Sequence, residues 1–426
     1  MNLLIVNANE VITMASEMQG PRIKEAMREI EVQRRVSVLI VDGRIAGVAP
    51  LEDLHAEFPH LIDSAALIDA SGKVVMPGLI DCHTHLVHGG TREEEFQKRL
   101  EGMSYMEIMN EGGGIHTTAR KTREASFEEL YEKAYGHLDD FLRHGVTTVE
   151  AKSGYGLNWE NEKKQLRVAK ALQEKHPIDI VSTFMGAHAV PAEFRGQGEA
   201  FVDEIIQYML PQVVEEGLAE FNDVFCEKGV FTPGQARRIL EAGKGYGLIP
   251  KIHADEIEPY EGAELAADVG AISAEHLLAA SDRGIKEMAK AGVTAVLLPG
   301  TAFFLQLPYA RGRDMIDAGV PVAISTDFNP GSSPTTSLPF IQNLACINMG
   351  MTMEEVLTAT TINAAYAINR GEEIGSLERG KKADILILDV ENYKQLPYFY
   401  GMNHTDTVIK GGRVVVRDGK LVNKKK

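Results

Sequence analysis

Short apolar runs alternate with longer amphipathic segments along the middle of the chain. Segments 127–142, 160–172 and 234–242 have the apolar spacing of helices. This alternation of strand and helix patterns is typical of a parallel α/β fold. Eight apolar runs have the length of buried strands. They are residues 79–82, 146–150, 178–184, 221–226, 248–253, 272–276, 294–298 and 321–327.

The two ends of the chain have a different pattern, rich in strands and turns. Apolar runs at residues 3–6, 36–41 and 66–69 are separated by turn-forming pairs such as Asp42-Gly43. Near the other end, residues 383–389 read as a strand, and Gly411-Gly412 joins two more runs as a hairpin. Neither end alone has enough strands to bury a sandwich core. We therefore predict that both termini fold together into one small β-sandwich.

These patterns predict an α/β protein with a TIM (β/α)8 barrel over residues 76–371. The β-sandwich parts would be residues 1–75 and 372–426. A chain of 426 residues is long for one compact core, which agrees with a large and a small domain. A doubly wound open sheet would give the same local pattern in the middle of the chain, and it remains an alternative.

Charge and cysteine content restrict the classes of partner. The net charge is -17, and such an acidic surface repels phosphate backbones and anionic membranes. We therefore expect no nucleic-acid or membrane partner. No apolar run approaches the ~20 residues needed to span a bilayer. Cys82, Cys226 and Cys346 are far apart and form no Cys-x-x-Cys pair, so we expect a reducing, cytoplasmic location.

Ionisable residues recur where the predicted strands end, although the chain has only 13 histidines. A barrel carries its catalytic residues at the C-terminal ends of its strands. A single His-x-His pair is weak evidence, a lone histidine is usually structural, and a lone aspartate can cap a turn. Together and in barrel order, the residues predict a metal site. They are His83 and His85 after the first strand, His188 after the third, His253 and Glu256 at the fifth, His276 at the sixth and Asp327 at the eighth.

The residue types explain what such a site could do. His83 and His85 face the same way because side chains alternate along a strand, so both imidazoles can bind one metal ion. A third imidazole and a carboxylate would complete a site for zinc or iron with room for water. The metal lowers the pKa of that water to ~7, and a nearby glutamate can carry its proton.

Several segments then identify a family by resemblance. Residues 77–85, Pro-Gly-Leu-Ile-Asp-Cys-His-Thr-His, and residues 375–384 resemble the characteristic segments of the amidohydrolase superfamily. Residues 150–157, 185–188, 253–256 and 325–332 are similar to the imidazolonepropionases, which act in histidine degradation. The resemblance covers essentially the whole chain.

The resemblance implies a cofactor, a reaction and a set of residue roles. One Zn²⁺ or Fe ion would bind to His83, His85, His253 and Asp327. Glu256, His276 and Asp327 would be catalytic, with Glu256 moving the proton. Contacts to the substrate would come from Arg92, Tyr155, His188, Glu256, Asn329, Gly331 and Ser332. The substrate would be a small anionic cyclic amide, 4-imidazolone-5-propanoate, opened to N-formimidoyl-L-glutamate, and the enzyme would be a homodimer.

Alternatives remain open for some residues. Arg92 follows Gly89-Gly90-Thr91 and could hold a propionate, but without the resemblance a surface salt bridge with residues 93–95 would be the favoured interpretation. Tyr155 could be a packing residue of its loop. Glu227 and Lys152 end strands four and two, where each could contact the metal, although a role beside the ligands is favoured.

Two other functions use the same residues. A nucleobase deaminase would need the same metal ligands but no cation for a propionate. A metal-binding protein without catalysis would need neither Glu256 nor His276, and both are present.

Overall fold

The computed structural model describes residues 2–103, 107 and 113–422. The N-terminal part forms seven strands before the chain enters the barrel. They are β1 (Leu3–Val6), β2 (Glu10–Ile12), β3 (Val32–Gln33), β4 (Ser37–Val41), β5 (Arg44–Ala49), β6 (Ala66–Asp69) and β7 (Val74–Pro77). Helices α1 (Leu51–Glu57) and α2 (Pro59–Asp63) lie between β5 and β6.

All eight predicted barrel strands are present and parallel. They are β8 (Leu79–Asp81), β9 (Val146–Lys152), β10 (Asp179–Ala187), β11 (Phe221–Cys226), β12 (Ile249–Ala254), β13 (Ser273–His276), β14 (Thr294–Leu297) and β15 (Val322–Ile324). Their order in the sheet follows the sequence from β8 to β15. A doubly wound sheet reverses its strand order at a switch point, so this sequential order excludes that alternative.

The first and last barrel strands meet at their C-terminal ends. The backbone N–H of His85 donates to the Phe328 carbonyl at 2.9 Å, and that of Asp327 donates to the His83 carbonyl at 3.1 Å. Below them the Asp81 carboxylate accepts a hydrogen bond from Thr326 Oγ1 at 2.6 Å. These contacts close the barrel where the candidate site residues lie, and the predicted TIM barrel is confirmed.

Helices cover the outside of the barrel. They are α3 (Glu93–Leu100), α4 (Ile115–Glu124), α5 (Phe127–Arg143), α6 (Trp159–Lys175), α7 (Gly198–Glu204), α8 (Leu210–Glu215), α9 (Pro233–Gly245), α10 (Gly262–Val269), α11 (Asp282–Ala291), α12 (Pro299–Leu305), α13 (Gly312–Ala318), α14 (Leu338–Met349), α15 (Met353–Ala359) and α16 (Ile362–Ala367). The sequence shows why α5 forms: Ser126 and Glu129 cap its first turn reciprocally. Leu130, Ala134 and Leu138 then recur every four residues and face the core.

The last part of the chain returns to the N-terminal strands. It contains α17 (Gln395–Tyr398), β16 (Ile385–Leu388), β17 (Thr405–Lys410), β18 (Arg413–Arg417) and β19 (Lys420–Leu421). The strand β16 pairs with β7 on one side and with β17 on the other, so one seven-stranded sheet contains both ends of the chain. Ile5 and Ile40 of the second, four-stranded sheet pack with Ile385 and Ile409 of the first.

The predicted β-sandwich of both termini is therefore confirmed. Its boundaries at residues 75 and 371 stay predictions. Within the described ranges, no helix combines the length and the apolar character that crossing a membrane requires.

Candidate metal centre and active site

Four histidines and an aspartate from the ends of four strands meet at the C-terminal mouth of the barrel. The Nε2 atoms of His83 and His85 lie 3.4 Å and 3.8 Å from Asp327 Oδ1. The ring of His253 lies 4.6 Å from that of His83 and 5.1 Å from that of His276, measured between centroids. The structure thus brings together the residues that the sequence predicted as metal ligands, and it places His276 beside them.

The donor atoms of this cluster fit a metal ion. One ligand atom from each of His83, His85 and His253 lies within 4.8 Å of the others, and the same holds for His83, His276 and Asp327. Among the described residues, His83 Nε2 and His253 Nε2 are buried without a hydrogen-bond partner. Buried nitrogens are rarely left unpaired in proteins, so a ligand that accepts their lone pairs accounts for both atoms.

The surroundings keep the imidazoles neutral. Burial, followed by the positive charge of nearby groups, holds the pKa of His83, His85 and His276 well below the usual histidine value. A neutral imidazole has the free lone pair that metal binding requires. Burial also raises the pKa of Asp327 to about 6. Thr301 Oγ1 donates to Asp327 Oδ2 at 2.5 Å, which fixes the carboxylate so that Oδ1 faces the histidines.

The backbone at this site adopts conformations that side chains rarely take. His276 has φ +69°, Asp327 has φ +52° and Asp255 has φ +48°. Non-glycine residues in this left-handed region cost of order 1–3 kcal/mol each, and such strain clusters at functional sites. The surrounding fold therefore holds these side chains in orientations that the local sequence does not favour.

Glu256 lies beside the cluster and has an unusual acidity. Its Oε2 is 3.6 Å from His276 Nε2, and 16% of its side chain remains exposed. Burial, together with the negative charges of Asp327 and Glu227, raises the pKa of Glu256 to about 8. A carboxyl group with a pKa near neutrality can both accept and return a proton at physiological pH.

Glu227 and Lys152 have supporting positions. Glu227 Oε2 accepts the backbone N–H of Ile257 at 2.9 Å, which fixes the loop next to Glu256. Lys152 lies 2.8 Å from Asp223 and 2.9 Å from Glu150. In the part of the chain that the structure describes, neither residue belongs to the groups that could hold a metal.

Tyr155 and His188 line the cluster on the side of His85. The rings of His85 and His188 stack with centroids 4.8 Å apart, and Tyr155 lies 5.3 Å from both rings. His188 Nδ1 donates to the Gly154 carbonyl at 3.0 Å, and burial lowers its pKa to about 3. A neutral His188 with its proton on Nδ1 presents Nε2 as a hydrogen-bond acceptor.

Two residues of α6 that the sequence did not reveal hold the Tyr155 loop. The Glu162 carboxylate accepts the backbone N–H groups of Gly154, Gly156 and Leu157 at 2.7–2.9 Å. Gln165 Oε1 accepts the backbone N–H of Tyr155 at 3.1 Å. The sequence contained one signal for these two residues, which is the polar face of a helix directly after a glycine-rich loop. Such a face is usually exposed to solvent, so it did not predict the contacts with the loop.

Arg92 lies against the loop that follows Asp327. Its Nη2 and Nε atoms are 2.7 Å and 2.8 Å from Glu95 Oε2, so the alternative ion pair is present. Only 12% of the Arg92 side chain is exposed, because the guanidinium packs over Gly331. Asn329 Oδ1 accepts the backbone N–H groups of Gly331 and Ser332 at 2.8 Å each. These four predicted binding residues therefore lie together.

Comparisons with known proteins show the family to which the chain is similar. The Amidohydrolase family matches residues 74–415 of the chain. A relative from Geobacillus sp. (strain WCH70), named imidazolonepropionase, is 63% identical over 98% of this chain and 99% of that protein. Relatives of the same name from Brevibacillus brevis and Streptococcus gordonii are 61% and 49% identical. The first of these alignments covers 98% of each protein and the second 99%.

Solved structures share the fold at low sequence identity. An adenosine deaminase from Xanthomonas campestris with bound zinc has a TM-score of 0.71 and 18% identity, over 99% of this chain and 94% of that one. An atrazine chlorohydrolase from Arthrobacter aurescens TC1, complexed with zinc, has a TM-score of 0.69 and 17% identity, over 99% and 97%. At this identity the likeness concerns the fold alone. On its near full-length relatives, the chain belongs to the amidohydrolase family and, within it, to the imidazolonepropionases.

Proposed function

We propose that this chain hydrolyses 4-imidazolone-5-propanoate to N-formimidoyl-L-glutamate, a step of histidine degradation. One observation carries the proposal: relatives named imidazolonepropionase align with 98–99% of the chain at 49–63% identity. In the reaction, water adds to the ring carbonyl carbon, the ring C–N bond breaks, and the leaving nitrogen takes up a proton.

One Zn²⁺ or Fe ion would be held by His83, His85, His253 and Asp327. The support is the unpaired Nε2 atoms of two of these histidines and the proximity of Asp327 Oδ1 to His83 and His85. Imidazole and carboxylate ligands suit both metals. When bound, the ion supplies Lewis acidity, which lowers the pKa of water to ~7 and polarises a carbonyl oxygen.

Glu256 would act as the proton carrier. The raised pKa of Glu256 lets its carboxylate take the proton of the attacking water and return it to the leaving ring nitrogen. His276 would stabilise the negative charge that develops on the carbonyl oxygen, since its Nε2 lies 3.6 Å from Glu256 Oε2. Asp327, fixed by Thr301, would orient the attacking water.

The propionate and the ring would contact different groups. We assign the propionate carboxylate to Arg92, because an acidic protein needs a local cation to bind an anion. Asn329, Gly331 and Ser332 would line the same side, since their loop packs against Arg92. Tyr155 and His188 would contact the ring beside His85.

The remaining proposals concern the assembly and location. The family resemblance supports a homodimer, and light scattering on the purified protein would test it against the monomer mass. The three cysteines are free, which agrees with a reducing, cytoplasmic location. The hypothesis of a nucleobase deaminase is not favoured, because the near full-length relatives carry the imidazolonepropionase name.

A direct assay tests the function. Purified protein of measured metal content is incubated with freshly generated 4-imidazolone-5-propanoate, and N-formimidoyl-L-glutamate is followed by mass spectrometry. We expect rapid product formation that a chelator abolishes and added Zn²⁺ or Fe²⁺ restores. Absence of product from protein that carries about one metal ion per chain would overturn the proposal.

A further inference from the structure

Five charged side chains fill the interior of the barrel below the histidine cluster. Glu150, Lys152, Asp223, Lys251 and Glu275 have side chains with 0% exposure. Barrel interiors are usually packed with branched apolar side chains. Removing an ion from water has a large free-energy cost even after the protein relaxes. A buried network of this size therefore calls for an explanation beyond packing.

The network contacts the histidine cluster at two points. His83 Nδ1 donates to Glu275 Oε2 at 2.6 Å. His253 Nδ1 donates to Asp223 Oδ1 at 3.1 Å. In both rings the other nitrogen, Nε2, is buried and has no hydrogen-bond partner among the described residues. Each carboxylate thus contacts one edge of a ring whose opposite edge faces the candidate metal position.

The two carboxylates are themselves connected through lysines. Lys152 Nζ lies 2.8 Å from Asp223 Oδ2 and 2.9 Å from Glu150 Oε1. Lys251 Nζ lies 3.0 Å from the same Glu150 oxygen and 3.6 Å from Glu275 Oε1. A continuous chain of contacts therefore runs from His83 across the barrel to His253.

The network contains three carboxyl groups and two ammonium groups. Both carboxylates that contact histidines are also fixed by a second contact, because Ser273 Oγ donates to Glu275 Oε1 at 2.6 Å and Lys152 holds Asp223. A carboxylate that accepts a ring N–H raises the basicity of the opposite nitrogen.

We propose that Asp223 and Glu275 are positioning residues for the metal centre. They hold the Nδ1–H groups of His253 and His83, so that both Nε2 atoms face the metal. The positions of the two carboxylates relative to each other are fixed by their contacts with Lys152, Glu150 and Lys251. The inference uses the metal centre of the proposed function, but neither the substrate nor the reaction enters it.

Metal affinity tests the proposal in the full-length protein. Asp223→Asn and Glu275→Gln keep the size of each side chain but remove its charge. We expect each to weaken Zn²⁺ affinity by about 10–100-fold, measured by competition with a chromophoric chelator. The visible absorption of the Co²⁺-loaded protein should change as well, because it reports on ligand geometry.

A matched control separates a positioning role from a structural one. Glu355 is a fully buried carboxylate that pairs with Arg28 and Arg313, and among the described residues it is not part of a group that could hold a metal. Glu355→Gln should lower the unfolding midpoint but leave Zn²⁺ affinity and the Co²⁺ spectrum unchanged. Affinity in both folded test variants within about threefold of the parent protein, or an equal loss in Glu355→Gln, would overturn the proposal.

A second measurement needs no variant. In metal-free protein with ¹⁵N-labelled histidine, we expect His83 and His253 to carry the proton on Nδ1. Finding it on Nε2 in both rings would overturn the proposal even if the variants failed to fold. Because no experiment here uses substrate, a failure of the proposed reaction and a failure of this inference are distinguishable.

Discussion

The guanidinium of Arg92 lies directly over the α-carbon of Gly331. A Cβ atom added to Gly331 would lie 2.6 Å from Arg92 Cζ and closer still to Nη1. On its other side the guanidinium is held by Glu95. The guanidinium can therefore occupy this position only because Gly331, two residues beyond the Asp327-Phe328-Asn329 segment, has no side chain.

Replacing that glycine tests the role of Arg92. Gly331→Ala should displace the guanidinium and raise the KM for 4-imidazolone-5-propanoate by about 10–100-fold, the equivalent of a charged hydrogen bond of ~1.5–3 kcal/mol. The effect on kcat should be smaller, because the reacting groups are unchanged. Steady-state kinetics measure both constants.

Gly136→Ala is the matched control, since Gly136 lies on α5 with open space around its α-carbon. It should leave KM unchanged. If Gly331→Ala also left KM unchanged, the guanidinium would not be a contact of the substrate carboxylate.

The proton-carrying role of Glu256 predicts a loss of turnover without a loss of metal. Glu256→Gln keeps the shape of the side chain but removes the basic group, so kcat should fall by ~10²–10⁴-fold. Metal content, measured by mass spectrometry of the digested protein, should stay the same. Glu258→Gln is the control, since this exposed carboxylate pairs only with Lys228 among the described ion pairs. Full turnover by metal-loaded Glu256→Gln would exclude the assigned role.

Much of the fold could be predicted because the relevant signals are local. The eight strands are short apolar runs, and the ligand histidines lie at or just beyond their C-terminal ends. His83 and His85 share a face because of strand geometry alone. The two-part sandwich followed from the shortage of strands at each terminus.

The supporting contacts could not be predicted because they join distant parts of the chain. Glu275 and His83 are in contact although they are 192 positions apart in the sequence, and the residues around neither of them indicate this contact. A weaker signal was present, however. Lys251 lies two positions before His253 in a buried strand, so both side chains face the barrel interior. When a charged residue lies two positions from a predicted metal ligand on the same strand, both side chains face the same way. Such a charged residue is then a candidate for a contact that supports the ligand.

The Tyr155 loop should depend on Glu162. Glu162→Gln would turn an amide N–H₂ toward backbone N–H donors, which lose an acceptor. We expect the free energy of unfolding to fall by ~1–3 kcal/mol and KM to rise, since Tyr155 would lose its fixed position. Urea unfolding and steady-state kinetics measure the two effects. Glu160→Gln, an exposed residue of the same helix, should change neither quantity. An unchanged KM in Glu162→Gln would show that the loop needs no carboxylate.

His137 should make the protein sensitive to acid. Its ring packs on Phe328 with centroids 4.7 Å apart and on His88 at 5.6 Å. Burial, and then the charge of Lys133, lowers the pKa of His137 to about 4 from the ordinary 6.5. Between these pH values the unfolded chain binds a proton at this residue and the folded protein does not. The free energy of unfolding must therefore fall as the pH decreases from 6.5 to 4 and stay level below that range, as far as this group is concerned.

Phenylalanine cannot bind that proton and keeps the ring contacts. His137→Phe should therefore gain stability relative to the parent protein as the pH decreases through this window, with the difference constant below pH 4. Urea unfolding midpoints at several pH values between 7 and 4 measure it. His137→Gln, which also cannot be protonated but loses the ring packing, should be less stable than His137→Phe at every pH and show the same reduced pH dependence. If the curves of the parent protein and of His137→Phe ran parallel from pH 7 to 4, the imidazole would not be the titrating group.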